Sequence, residues 1–166
     1  MPSRAYLFDN YKIAQDSIFN LPEFYKVLFR WFEVMGYSFH EEEYADYEKP
    51  EGKQLEIFWY AEKKIDAYVR YVIRVSFLIT GLQKIEIEKS GVKSKTNKGG
   101  IELRVTCYVE RDYDGKWSKS SVMKTFRKIY DKFLIRERLD KYEGELIQET
   151  NQLVDEIRSF LSMHRG

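Results

Sequence analysis

From Ser38 to Tyr113 apolar and polar residues alternate with a period of two, and before and after that stretch the period is 3.6. A chain that alternates for so long must form strands with one buried and one wet face. The cleanest run places Ala67, Val69, Tyr71, Ile73, Val75, Phe77 and Ile79 inward and Tyr68, Arg70, Arg74, Ser76 and Thr80 outward. Five strands are expected, at about 38–47, 54–63, 67–80, 83–89 and 101–112, separated by Lys49-Pro50-Glu51-Gly52, Lys64-Ile65-Asp66, Gly81 and the segment between Lys89 and Gly100. None of these linkers holds a crossover helix, so the sheet is an antiparallel meander. The third strand belongs at its centre. The first, with His40-Glu41-Glu42-Glu43, is too charged for that and belongs at an edge, where charge blocks pairing with other chains.

The helical flanks carry their own punctuation. Asn20 is placed to cap a helix over 21–35, with Pro22 in its first turn, Glu23 three residues on, and Gly36 just beyond its end. Leu21, Phe24, Tyr25, Leu28, Phe32 and Met35 form its apolar face, which Phe29 and Trp31 widen. Residues 1–20 have two short apolar pieces and no sustained period, which predicts an arm packed on the domain. After Gly115 a helix capped by Ser118 or Ser120 is expected, with Val122, Phe126, Ile129, Phe133 and Leu134 inward. Leu139, Tyr142, Leu146, Leu153, Ile157 and Phe160 then repeat at coiled-coil spacing, interrupted by Gly144. The expectation is a single α+β domain over residues 1–166: arm, helix, sheet over 38–113 and a helical part over 118–163, all helices on one face. Its core should contain Leu28, Phe32, Ile57, Trp59, Val69, Tyr71, Ile73, Val75, Leu103, Val105, Cys107, Phe126, Ile129 and Phe133.

A chain of 166 residues buries enough surface to fold without a disulfide or structural metal. Its one cysteine, Cys107, falls on the inward parity of its strand, which fits a structural thiol in a reducing compartment. No signal-peptide pattern opens the chain and no apolar run approaches the roughly 18 residues of a span, so a cytoplasmic protein without a membrane partner is expected. The wealth of Lys, Glu, Tyr and Ile has the look of a thermophile's protein.

Motifs for chemistry are lacking. His40 and His164 are the only histidines, and they fall on different elements. His40 and Glu42 share a strand face, but two ligands do not make a metal site. Ser118, Ser120 and Ser121 lack a nucleophile turn, and Gly91, Gly99 and Gly100 lack the spacing of a phosphate-cradling loop. No catalytic residue, metal or cofactor is assigned, and the expectation leans away from an enzyme.

With 28 basic and 27 acidic residues, any anion binding has to be local. The segment KSGVKSKTNKGG has four lysines, Lys89, Lys93, Lys95 and Lys98, and no acid, and it reads as a cationic loop at the tip of a sheet. Arg70, Arg74, Arg104, Tyr68 and Tyr108 lie on the outward parity, a mixture that stacks on bases and pairs with phosphates. Glutamates share that face, so cross-strand pairing explains the arginines without a ligand. The leading expectation is a binding or assembly factor for RNA or a ribonucleoprotein. Two alternatives stand beside it. A curved meander closed by a C-terminal helix resembles the helix-grip arrangement, which encloses apolar small molecules, although that arrangement opens with a strand for which residues 1–20 are a weak candidate. The second alternative is a protein adaptor that uses the seam from Leu139 to Phe160, and the same seam predicts a homodimer, in which doubled lysine loops would strengthen a modest affinity.

Overall fold

A computed structural model describes residues 3–134 and 136–163, so His164 lies outside the described residues. The order is β1 (Ser3–Phe19), α1 (Leu21–Val34), β2 (Ser38–Lys49), β3 (Gly52–Lys64), β4 (Val69–Lys89), β5 (Val92–Arg111), α2 (Ser121–Ile129) and α3 (Arg136–Met163). The strands form one antiparallel sheet in the order β1-β5-β4-β3-β2. β4 is central and the acidic β2 is an edge, as their patterns predict.

The residues expected to form an N-terminal arm are instead the other edge strand. β1 runs along β5 from Ser3 opposite Arg111 to Phe19 opposite Asn97, with register shifts around Phe8. Those bulges and the exposure of about half of β1 hide its period. A strand therefore precedes α1, as the helix-grip order requires.

The strands expected at 67–80 and 83–89 are one strand, β4, whose register against β5 shifts between Thr80 and Gln83. Gly81, at φ 60°, absorbs the extra residue of this bulge. It bends a strand and does not end one.

Local signals set α1. Asn20 accepts a hydrogen bond from the Glu23 amide at 3.0 Å, and Phe24, Leu28 and Phe32 turn their stripe to the sheet. Phe29, expected on the buried side, is exposed and meets Phe39 edge-on. α3 passes unbroken through Gly144 and buries Leu146, Leu153, Val154, Ile157 and Leu161 against β1, β5 and α1. Between the helices and the sheet the rings of Phe24, Phe32, Trp59, Phe77 and Phe160 are in mutual contact, Trp59 and Phe77 at 4.5 Å. Full burial of such a side chain contributes about 1.5–3 kcal/mol. The Trp59 indole donates to the Tyr25 hydroxyl and to Glu41 Oε1, so its polar edge is satisfied.

The expected core is wrong at Phe126, Ile129 and Phe133. They are 55%, 47% and 70% exposed, and no residue of α2 is fully buried. α1 and α3 already occupy the covered face of the sheet. α2 is held at the end of the sheet by other contacts: Tyr130 meets Tyr68 and Trp117, and Arg127 donates to Ser3 Oγ at 2.5 Å and Tyr68 Oη at 3.1 Å.

Candidate functional site

The segment expected to be a lysine loop is paired backbone. Pairing with β1 ends at Asn97 and pairing with β3 ends at Leu82, so residues 85–96 pair only with one another. The result is a two-stranded arm that continues β4 and β5 beyond the sheet. Ser90 and Gly91, at φ 51° and 80°, form its turn, and two positive φ values in succession are what a two-residue hairpin with the right twist demands. Ile85 and Ile87 are half-buried, while Lys84, Lys89, Lys93, Lys95 and Lys98 are all exposed.

Register divides the lysines. Lys93 stands opposite Glu88 and Lys95 opposite Glu86, so these two share their face with acids that are distant in sequence. Lys89 stands opposite Val92, and Lys98 opposite Gln83, on the other face. The loop is therefore partly balanced, contrary to the reading of its local sequence. The arm and its base still carry five lysines against two glutamates, with cations on both faces.

The outward arginines and tyrosines do not join this arm in one site. Arg70 precedes Lys84 by 14 residues on β4, about 46 Å at the strand rise. Arg70 Nη2 lies 2.5 Å from Glu110 Oε1 and Nη1 donates to Glu62 Oε2 at 2.6 Å, while Arg4 Nε donates to the other Glu110 oxygen at 2.7 Å. Glu110 is 1% exposed, which makes these charge-assisted bonds part of the architecture. Arg104 donates to Glu102 at 3.0 Å. Tyr108 is buried beneath Tyr6 and the Arg4 guanidinium. Tyr68 is not on this face at all: it lies before β4, buried, and donates from its hydroxyl to Asp131 at 2.7 Å. Arg74 is exposed over the Tyr60 ring, whose phenol is pushed up to about 12, chiefly by burial. Pairing across the sheet thus accounts for most of this face.

A polar cluster that the sequence reading missed lies inside the core. Lys63 Nζ donates to Glu149 Oε1 at 2.6 Å and to the Met35 carbonyl at 3.1 Å, and the Tyr37 hydroxyl donates to the same Glu149 oxygen at 3.2 Å. Burial, reinforced by nearby carboxylates, raises the phenols of Tyr37 and Tyr71 well above their ordinary value. Lys63 follows Leu55, Ile57, Trp59 and Ala61 on the inward parity of β3, and a charge on core parity was the available signal. Cys107 is buried, and burial pushes its thiol up, as a structural cysteine requires.

The seam on α3 is covered by its own sheet. Leu146, Leu153 and Ile157 are fully buried, and Leu139, Tyr142 and Phe160 pack partly against the same core. A helix of 28 residues spans about 42 Å, close to the roughly 46 Å of β5 between residues 97 and 111. The length that suggested a second copy is matched by this chain's own strands.

His40 is exposed on β2, and among the described residues no group of three or more His, Cys, Asp or Glu is placed to hold a metal ion. Among them, too, no helix is long and apolar enough to cross a membrane. Comparison with known proteins gave no match to a family model, to a curated protein or to a solved structure.

Proposed function

We propose that the chain is a binding or assembly factor that inserts its hairpin arm into a folded RNA or a ribonucleoprotein. The observation that carries this reading is the arm itself: a hairpin that extends past the pairing partners of β1 and β3, with exposed lysines on both faces. A flat cationic patch suits one backbone. An arm with Lys93 and Lys95 on one side and Lys89 and Lys98 on the other suits a cleft with phosphates on two sides, such as folded RNA provides. Arg70 and Arg104 are engaged with glutamates and do not support this contact, and Arg74 lies over the Tyr60 ring. The alternative of an apolar carrier is less well supported, since contacting rings occupy the space between sheet and helices.

The test is binding of a structured RNA over a range of salt. The fourfold variant K89A/K93A/K95A/K98A should weaken binding and flatten the logarithmic salt slope by up to roughly three to four units. RNA binding that ignores both salt and the four substitutions would remove the arm from the interface.

A further inference from the structure

The strongest feature outside the arm is the apolar stripe of α2. Val122, Phe126 and Ile129 on α2 and Phe133 in the π-helical turn that follows it (Tyr130–Leu134) are 63%, 55%, 47% and 70% exposed. Four aligned large apolar side chains on the surface mark a contact, whereas isolated ones would not. A neighbouring side of the helix is engaged: Tyr130 packs on Tyr68 and Trp117, and Arg127 and Asp131 bond to Tyr68 at the end of the sheet. The helix is therefore held in place with its stripe outward.

Charge identifies what the stripe meets. Lys119, Lys124, Lys128 and Lys132 are all exposed along this helix and the turns that flank it. The only acid between residues 116 and 134 is Asp131, which accepts from Tyr68 at 2.7 Å and lies 3.4 Å from Arg111 and 3.7 Å from Arg127. The solvent side of α2 is thus apolar and cationic, with its single carboxylate engaged. We infer that α2 is a membrane-surface element that lays Val122, Phe126, Ile129 and Phe133 into the headgroup region of an anionic bilayer, with the lysines on lipid phosphates and carboxylates. Among the described residues no helix is long and apolar enough to cross a membrane, and a surface contact needs none.

The experiment is co-sedimentation of nuclease-treated protein with vesicles of phosphatidylcholine alone or mixed with phosphatidylserine. Binding is expected to the anionic vesicles and not to the neutral ones. F126S/F133S should lower partitioning at least about tenfold, since each ring loses its burial in lipid. K119A/K132A, which replaces the exposed lysines flanking the stripe, should lower it about twentyfold, at roughly fivefold per lysine near the charged surface. These side chains are exposed, and an unchanged thermal melt shows that the variants remain folded. The arm variant K89A/K93A/K95A/K98A should retain vesicle binding, which separates this inference from the RNA reading. Failure to bind anionic vesicles, undiminished binding by F126S/F133S, or loss of binding in the arm variant would each overturn the proposal. So would light scattering that shows a dimer split by F126S/F133S, since a second copy would then cover the stripe.

Discussion

Lys63 and Glu149 are joined at 2.6 Å across the interior, tying the end of β3 to the middle of α3, with the Tyr37 hydroxyl on the same carboxylate oxygen. Glu149 is largely buried and Lys63 mostly so. Removing one partner leaves the other charge without compensation. Glu149→Ala should therefore cost about 3–5 kcal/mol in urea unfolding, whereas K63M/E149L should lie near the wild type or above it. A Glu149→Ala loss below about 1 kcal/mol would show that water already compensates the pair.

The buried phenols make stability depend on alkaline pH. Burial raises Tyr37, Tyr68 and Tyr71, so the folded chain keeps these protons after the unfolded chain has released them. The sign follows: their contribution is complete below the unfolded value of about 10 and is lost as pH rises above it. Tyrosinate absorbance should show these three groups titrating only as the protein unfolds. Titration of every tyrosine near pH 10 in a folded chain would contradict the burial.

Two glycines should respond oppositely to alanine. A Cβ on Gly52 would sit 2.8 Å from the Gly81 carbonyl carbon and 2.9 Å from the Leu82 oxygen, at φ 132°. Both obstacles are backbone, so Gly52→Ala should destabilise by roughly 2 kcal/mol or more. Gly144 lies inside α3 with nothing within 4 Å of its would-be Cβ. Gly144→Ala should stabilise by about 1 kcal/mol. Thermal melts of the two variants decide both.

The arm should be separable from the fold. Replacing residues 85–96 by Asn-Gly keeps Lys84 opposite Asn97 and the Asn97 side chain on the Leu21 amide at 3.1 Å. The variant should melt within a few degrees of the parent, as expected for a change of about 1 kcal/mol or less, and should lose RNA binding. A collapse in stability would mean that the arm is part of the core.

Much of the fold was legible because periodicity reports which side of an element is buried. The alternation around Val69–Ile79 located the central strand and its inward face, the charge of Glu41-Glu42-Glu43 located an edge, and Asn20 located the start of α1. β1 was missed because a half-exposed, bulged edge strand has no clean period. At Gly81 a bulge and a turn have the same local sequence, and only the partner strand distinguishes them.

The candidate site was less legible, since its character depends on pairings distant in sequence. Lys93 and Lys95 form an unopposed run until register brings Glu88 and Glu86 across from them, and Arg70 looks available until Glu62 and Glu110 close on it. The stripe of α2 has the pattern of a core helix. What kept it outside was competition for a limited surface, because α1 and α3 had already covered the sheet. By itself, the sequence determined α1, the inward face of β3, β4 and β5 and the acidic edge, because those properties arise from neighbours within a few residues. Only the tertiary structure decided which charges are neutralised and which apolar face stays uncovered, because both depend on partners many residues away.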